Sequence, residues 1–155
     1  MKRIGIISDS HSDPGHVQLA LIKLEAEGRI DALIHCGDGA HDPDMYTGNI
    51  MQVVAVRGNN DGWLDQHKDE MFVTIAGVPI FVTHGHRYNV KRGLDVLAEA
   101  AAAKGARICC FGHTHKPFCD YMNGVLLINP GACLFTGRCA LLTISDHGEP
   151  AVQML

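Results

Sequence analysis

The chain begins with a short apolar run, Ile4-Gly5-Ile6-Ile7-Ser8, that stops at Asp9-Ser10-His11. A β-branched run of this kind predicts a buried strand. Val17, Ala20, Leu21 and Leu24 then recur at helical spacing over about 15–26. Ser12-Asp13-Pro14 supplies a helix start and Gly28 a stop. A second apolar strand is expected over 32–36, ending in Gly37-Asp38-Gly39. Residues 40–49 are polar and predict a loop or short helix lying over the strand ends. A third strand over 52–56 ends in Arg57-Gly58-Asn59-Asn60-Asp61-Gly62.

Then the rhythm changes. Strands are expected over 70–75 and 80–83, with Ala76-Gly77-Val78-Pro79 as a tight hairpin turn. The second of them runs into Thr83-His84-Gly85-His86. A helix is expected over about 90–104, with Leu94, Leu97 and Ala101 on one side and Gly105 as its stop. The strand expected over 107–111 ends in Gly112-His113-Thr114-His115. Strands over 118–122 and 125–129 flank Asn123-Gly124, a strong hairpin signal, and Asn129-Pro130-Gly131 makes a further turn. Residues 139–145 and 150–154 close the chain as an antiparallel pair. The pattern predicts an α/β fold of two mixed sheets stacked face to face with helices outside both. Without a repeat or linker, residues 1–155 read as a single domain.

Composition narrows the function. The chain is 46% hydrophobic and 19% charged, within the range of ordinary globular proteins. A net charge of -4 argues against a general electrostatic grip on nucleic acid or anionic lipid. No apolar run reaches the length of a membrane span, and Asp9, His11 and Asp13 come too early for a signal peptide. None of the 6 Cys forms a C-x-x-C pair, so reduced thiols and a cytoplasmic location are expected. The 10 His are the compositional oddity; His16, His67 and His147 read as surface scatter.

Alone, Asp-x-His fits a helix cap beside a solvated imidazole as well as it fits a site. The pattern gains meaning because Asp, Asn or His, mostly beside Gly, ends five predicted strands: Asp9, His11, Asp38, Asn59, His84, His113 and His115. Open α/β sheets bind ligands outside the carboxyl ends of their strands. Two Asp, one Asn and four His suit a pair of Mn-, Fe-, Zn- or Ni-like ions better than Ca or Mg, with Mn first. As the middle strand's acid, Asp38 is the natural bridge between two ions.

In order and spacing, Asp9-x-His11, Gly37-Asp38, Gly58-Asn59-x-Asp61, Thr83-His84-Gly85-His86 and Gly112-His113-Thr114-His115 resemble the calcineurin-like binuclear metallophosphoesterases. The short length and Asn129-Pro130-Gly131 are most similar to that family's small bacterial and archaeal phosphodiesterase branch. The resemblance covers residues 3 to about 132 and implies a four-layer α/β/β/α sandwich. It also implies two divalent transition-metal ions. Asp9, His11 and His115 would hold the first, Asn59, His84 and His113 the second, and Asp38 would bridge. The activity implied is hydrolysis of a small phosphoester by a metal-bound hydroxide, and the resemblance suggests a homodimer.

Asp38, Asn60, Asp61 and His86 form the candidate catalytic set. Asp61 reads equally as an orienting residue or an Asx cap, and His86 as a substrate contact or a ligand's support. Many family members carry His where this chain has Asn60. Asn cannot act as a general acid at neutral pH, so activated aryl diesters are expected to be the better substrates. Ala132 also departs from the Ser common in relatives. Trp63 and Leu64 would either wall a substrate's organic group or, as expected here, serve as a core or dimer contact. The rival reading is a non-catalytic interaction scaffold, the role of the small metallophosphoesterase-like subunit of the retromer coat. A metal-dependent regulator that binds nucleotide without turnover is a third.

Overall fold

Strand alternation divides the core into three parts. The computed structural model describes residues 1–45, 50 and 52–155. In β1 (Lys2–Ile7), Ile4 and Ile6 face one way while Gly5 and Ile7 face the other. β1 pairs in parallel with β2 (Ala32–His35), and β2 with β3 (Gln52–Ala55). The closing hairpin, β9 (Ala140–Ile144) and β10 (Pro150–Met154), adds to the other side of β1 and gives the order β10-β9-β1-β2-β3. In the second sheet, β4 (Glu70–Ile75) pairs with β5 (Val78–Thr83). β6 (Ile108–Cys110), β8 (Val125–Asn129) and β7 (Phe118–Met122) complete the order β4-β5-β6-β8-β7.

Ile4, Ile6, Ile34 and Val54 of the first sheet, with Val56 just past β3, meet Ile80, Val82, Ile108 and Ile128 of the second in one buried cluster. α1 (Pro14–Ala26) lays Val17, Ala20, Leu21 and Leu24 on the outer face of the first sheet, against Ile7, Leu33 and Leu141. α2 (Asp95–Ala103) lays Leu97, Ala98 and Ala101 on the outer face of the second, against Phe81, Cys109 and Leu127. The result is the expected α/β/β/α order of layers. Among the described residues no helix is long and apolar enough to cross a membrane.

Three local details differ from expectation. α2 starts at Asp95, not near residue 90, because Asn89 (φ 52°) and Gly93 (φ 156°) break the helical path. A 3₁₀ turn over His86–Tyr88 occupies part of that stretch. The hairpin turn is only Ala76-Gly77, so Val78 and Pro79 already belong to β5. The expected loop or helix over 40–49 contains a 3₁₀ turn at Asp42–Met45, and residues 46–49 lie outside the described residues.

Gly5 is the close point between sheet and helix. A methyl there would sit 2.7 Å from Leu24 Cδ1 and 3.1 Å from Leu33 Cδ1. Gly5→Ala is expected to destabilise by about 1–3 kcal/mol through overpacking. Leu24→Ala should cost about 2–5 kcal/mol by leaving a cavity. Because that cavity takes up the added methyl, the double variant should lose at least ~0.5 kcal/mol less than the sum, measured by denaturant unfolding.

Candidate metal centre

The strand-end turns are locked to one another before any side chain is considered. Asp9 N–H donates to the Gly37 carbonyl (3.0 Å) and His11 N–H to that of Asp38 (2.9 Å). Gly112 N–H donates to the His84 carbonyl at 3.0 Å. These turns carry positive φ at Asp9 (53°), His11 (48°), Asp38 (57°), His113 (69°) and His115 (62°). A non-glycine residue in that region costs about 1–2 kcal/mol. That five of the seven predicted ligand positions share it marks stored strain, which concentrates at functional sites.

Asp9 is fully buried. Its Oδ2 accepts from Ser8 Oγ (2.6 Å) and from the His113 backbone N–H (3.1 Å). Its Oδ1 is buried with no hydrogen-bond partner among the described residues. Three imidazole nitrogens nevertheless surround that oxygen: His115 Nε2 at 3.1 Å, His84 Nε2 at 3.9 Å and His11 Nε2 at 4.0 Å. Beside it, Asp38 Oδ2 lies 3.3 Å from His84 Nε2 and 3.7 Å from His11 Nε2. His113 Nδ1 faces His84 Nε2 at 3.2 Å.

A buried carboxylate oxygen without a donor is costly, and imidazole lone pairs converging on it are the donor set of a cation. Residues within this pocket therefore fit divalent metal. Two groups offer clustered ligand atoms there: Asp9, His11 and His115, and Asp9, Asp38 and His84. His84 has its orientation set from behind, since Nδ1–H donates to the Cys36 carbonyl at 2.7 Å and leaves Nε2 to face the carboxylates. Asn59 is exposed in the adjoining turn, and the His86 ring lies 5.4 Å from that of His84.

The two carboxylates attract positive charge: burial lowers the His84 pKa, but the bond to Asp38 and the charges of Asp9 and Asp38 outweigh it and raise it. Burial pushes the Asp38 carboxyl up, but the bond and charge of His84 and the bonds from Asn60 outweigh it and hold the pKa below its usual value. Burial, then the charge of His84, lowers His113 to about 4. Close backbone approach is needed to make the pocket: a methyl at Gly58 would sit 2.1 Å from Asp38 Oδ1, and one at Gly112 2.6 Å from Asp9 Oδ2.

Asp61 and Asn60 serve Asp38 directly. Asp61 Oδ2 accepts from the N–H groups of Asp38 (3.0 Å) and Gly58 (2.8 Å), and Oδ1 from Gly39 N–H (2.8 Å). It thus caps its own turn and fixes the neighbouring one. Asn60 donates to both Asp38 oxygens, from its backbone N–H at 2.8 Å and from Nδ2 at 2.9 Å.

A further network was not visible in the sequence reading. Gly37 N–H donates to His35 Nδ1 at 3.1 Å, so the ring proton sits on Nε2 and points to Ser10 Oγ at 2.8 Å. Ser10 Oγ in turn donates to Asp42 Oδ2, which also accepts Ser12 N–H at 2.9 Å. His35 lies mid-run in an apolar strand, and only its polarity at a buried position could have signalled this. Trp63 and Leu64 are 85% and 74% exposed, which excludes a core role for the tryptophan.

The calcineurin-like phosphoesterase superfamily domain matches residues 1–146. Over 146 residues the chain is 36% identical to the probable metallophosphoesterase YsnB of Bacillus subtilis, covering 91% of this chain and 83% of that protein. It is 30% identical over 169 residues to the phosphodiesterase MJ0936 of Methanocaldococcus jannaschii, covering 99% and 92%. The structure of Vps29 complexed with zinc from Entamoeba histolytica shares the fold, with a TM-score of 0.75 at 20% identity over 99% of this chain and 98% of that one.

Two outcomes are expected from this geometry. Asp61→Ala removes the acceptor of three N–H groups, and should weaken metal binding 10–100-fold by calorimetric titration while lowering the melting temperature. His35 gives a pH dependence. Burial lowers its pKa from 6.5 to about 3, so below pH 6.5 the unfolded chain takes up a proton that the native ring refuses. Its contribution to stability is intact above that pH and is lost as pH falls toward 3. With chelator present, the wild-type melting temperature should drop more steeply from pH 7 to 5 than that of His35→Asn.

Proposed function

The chain belongs to the calcineurin-like phosphoesterase superfamily, and we propose that it is a phosphodiesterase of small substrates that works with two divalent transition-metal ions. The observation that carries this reading is the buried Asp9 Oδ1, without a donor yet ringed by three imidazole nitrogens within 4.0 Å. Asp9, His11 and His115 would hold one ion. Asn59, His84 and His113 would hold the other, with Asp38 between them. Manganese is the first choice, with iron, zinc or nickel also suited to mixed carboxylate and imidazole. Bound ions supply Lewis-acid polarisation of the phosphoryl oxygens and a lowered pKa for water.

The chain's own groups do the rest. Asn60 fixes the Asp38 carboxylate by donating to both of its oxygens. The bond from His84 Nδ1–H to Cys36 fixes which ring nitrogen faces the ions. His86, whose pKa is lowered by burial and then by His84, presents a neutral ring beside the centre and is proposed to contact the substrate or steady His84. Asn60, with its amide fastened on Asp38, offers no proton to a leaving group. Substrates whose leaving group departs without protonation are therefore favoured.

A cavity of about 470 Å³ reaches Thr114, the residue between His113 and His115, and is lined also by Lys91, Lys116, Val90, Leu94 and Phe118. Two ammonium groups beside apolar walls suit an anionic ester with an organic arm. The six free cysteines fit a reducing compartment, and we extend the proposal to a cytoplasmic enzyme acting as one domain.

The test is hydrolysis of bis(p-nitrophenyl) phosphate, p-nitrophenyl phosphate and an alkyl phosphomonoester with Mn²⁺ and then with chelator. Turnover should require metal, be fastest on the aryl diester, and fall roughly 100-fold or more in His84→Ala. Equal rates on aryl diester and alkyl monoester would overturn the role given to Asn60. A folded protein inert with every divalent metal would favour the scaffold reading.

A further inference from the structure

His41, Asp65 and His67 take no part in the site above, yet they converge. His41 Nε2 lies 2.9 Å from Asp65 Oδ2, and His67 Nδ1 lies 2.8 Å from Asp65 Oδ1. The two rings are 4.6 Å apart at 72°. One donor atom from each of the three residues falls within 4.8 Å of the others. The carboxylate is held inside, with its side chain 4% exposed, while the rings of His67 and His41 open toward solvent at 23% and 64%.

The group is also pre-positioned. Asp65 N–H donates to the Gly62 carbonyl at 2.8 Å, and Asp65 Oδ1 accepts His67 N–H at 2.7 Å. Burial pushes the Asp65 acid up, but the bonds from His67 and the charges of His67 and His41 hold its pKa below the usual value. The cluster therefore presents one carboxylate and two imidazoles. That set matches borderline transition ions such as Zn²⁺, Ni²⁺ or Cu²⁺, and is too poor in oxygen for Ca²⁺ or Mg²⁺.

We propose that His41, Asp65 and His67 form a third metal site, separate from the paired centre, for a single zinc-like ion. Three protein ligands leave at least one position for water. The ion joins two loops, one following Asp38 by three residues and one following Asp61 by four. Those loops already share the hydrogen bonds of Asp61 to Asp38, Gly39 and Gly58. Occupancy would fasten them a second time at their outer ends. Without an ion, each ring N–H donates to one carboxylate oxygen. With an ion, the same two nitrogens present lone pairs, and the proton each carried moves to the other ring nitrogen or to solvent.

The test counts zinc by atomic emission after equilibrium dialysis, in wild type, His41→Ala, His67→Ala and an Asp9→Asn/His84→Ala variant that disables the paired centre. Wild type should retain one equivalent more than either single variant. The paired-centre variant should still bind one Zn²⁺ and gain melting temperature from it, and adding His67→Ala should weaken that binding at least about tenfold. Equal zinc in wild type and both single variants overturns the site, as does a residual equivalent that ignores His41 and His67. Because His41 is mostly exposed, its variant keeps the fold even where His67→Ala does not. The readout needs no turnover, so it stands apart from the phosphoesterase reading.

Discussion

A buried carboxyl group with one oxygen unpartnered among the described residues is the constraint on which this structure turns. Asp9 sits at the end of the central strand of the first sheet, fully enclosed, with Oδ2 satisfied and Oδ1 bare. Protein interiors seldom leave such an oxygen without a compensating partner. The surrounding design follows from this need. Gly112 has no side chain because Ser8 and Asp9 occupy that space, and Gly58 has none because Asp38 does. The strand-end turns take left-handed backbone at Asp9, His11, Asp38, His113 and His115, and short side chains from separate strands reach one volume. The sandwich, with well over thirty buried apolar residues, supplies the stability that offsets this local strain.

Much of this was legible in the chain. The apolar strand runs, the Asn123-Gly124 hairpin and the spacing of Val17, Ala20, Leu21 and Leu24 announced two mixed sheets with helices outside. Repeated Asp or His at strand ends, often beside Gly, announced which side chains converge: Asp9, His11, Asp38, His84, His113 and His115. Less legible was anything that depends on contact between segments far apart in sequence. His35 reads as one more residue of a buried strand, and its bond to Ser10 arises only because β1 and β2 are neighbours. Val90 and Leu94 keep helical spacing and so predict an earlier start for α2, although Asn89 and Gly93 turn the backbone away. His67 reads as surface scatter until Asp65 and His41 are placed beside it.

Hydrogen bonding within the third turn shows why its two acidic and amide residues are not interchangeable. Asp61 speaks only to backbone N–H groups, and so fixes the shape of two turns at once. Asn60 speaks to the Asp38 side chain, and so fixes where one carboxylate points. A histidine in place of Asn60 could add an acid to the site, but it could not reproduce a primary amide donor in the same place.

The pairing of β1 also governs when the pocket can exist. Its central strand is bordered on one side by β2 and on the other by β9, with Ile4 opposite both Ala32 and Leu142. The segment just before β9 grips the turn as well, through Cys133 N–H to the Ser8 carbonyl at 2.8 Å and Leu134 N–H to that of Asp9 at 3.0 Å. Asp9 and His11 precede the strand that encloses them by more than 120 residues. The pocket around Asp9 is therefore complete only when residues 133–144 have closed on β1, a long-range pairing of the kind that slows folding.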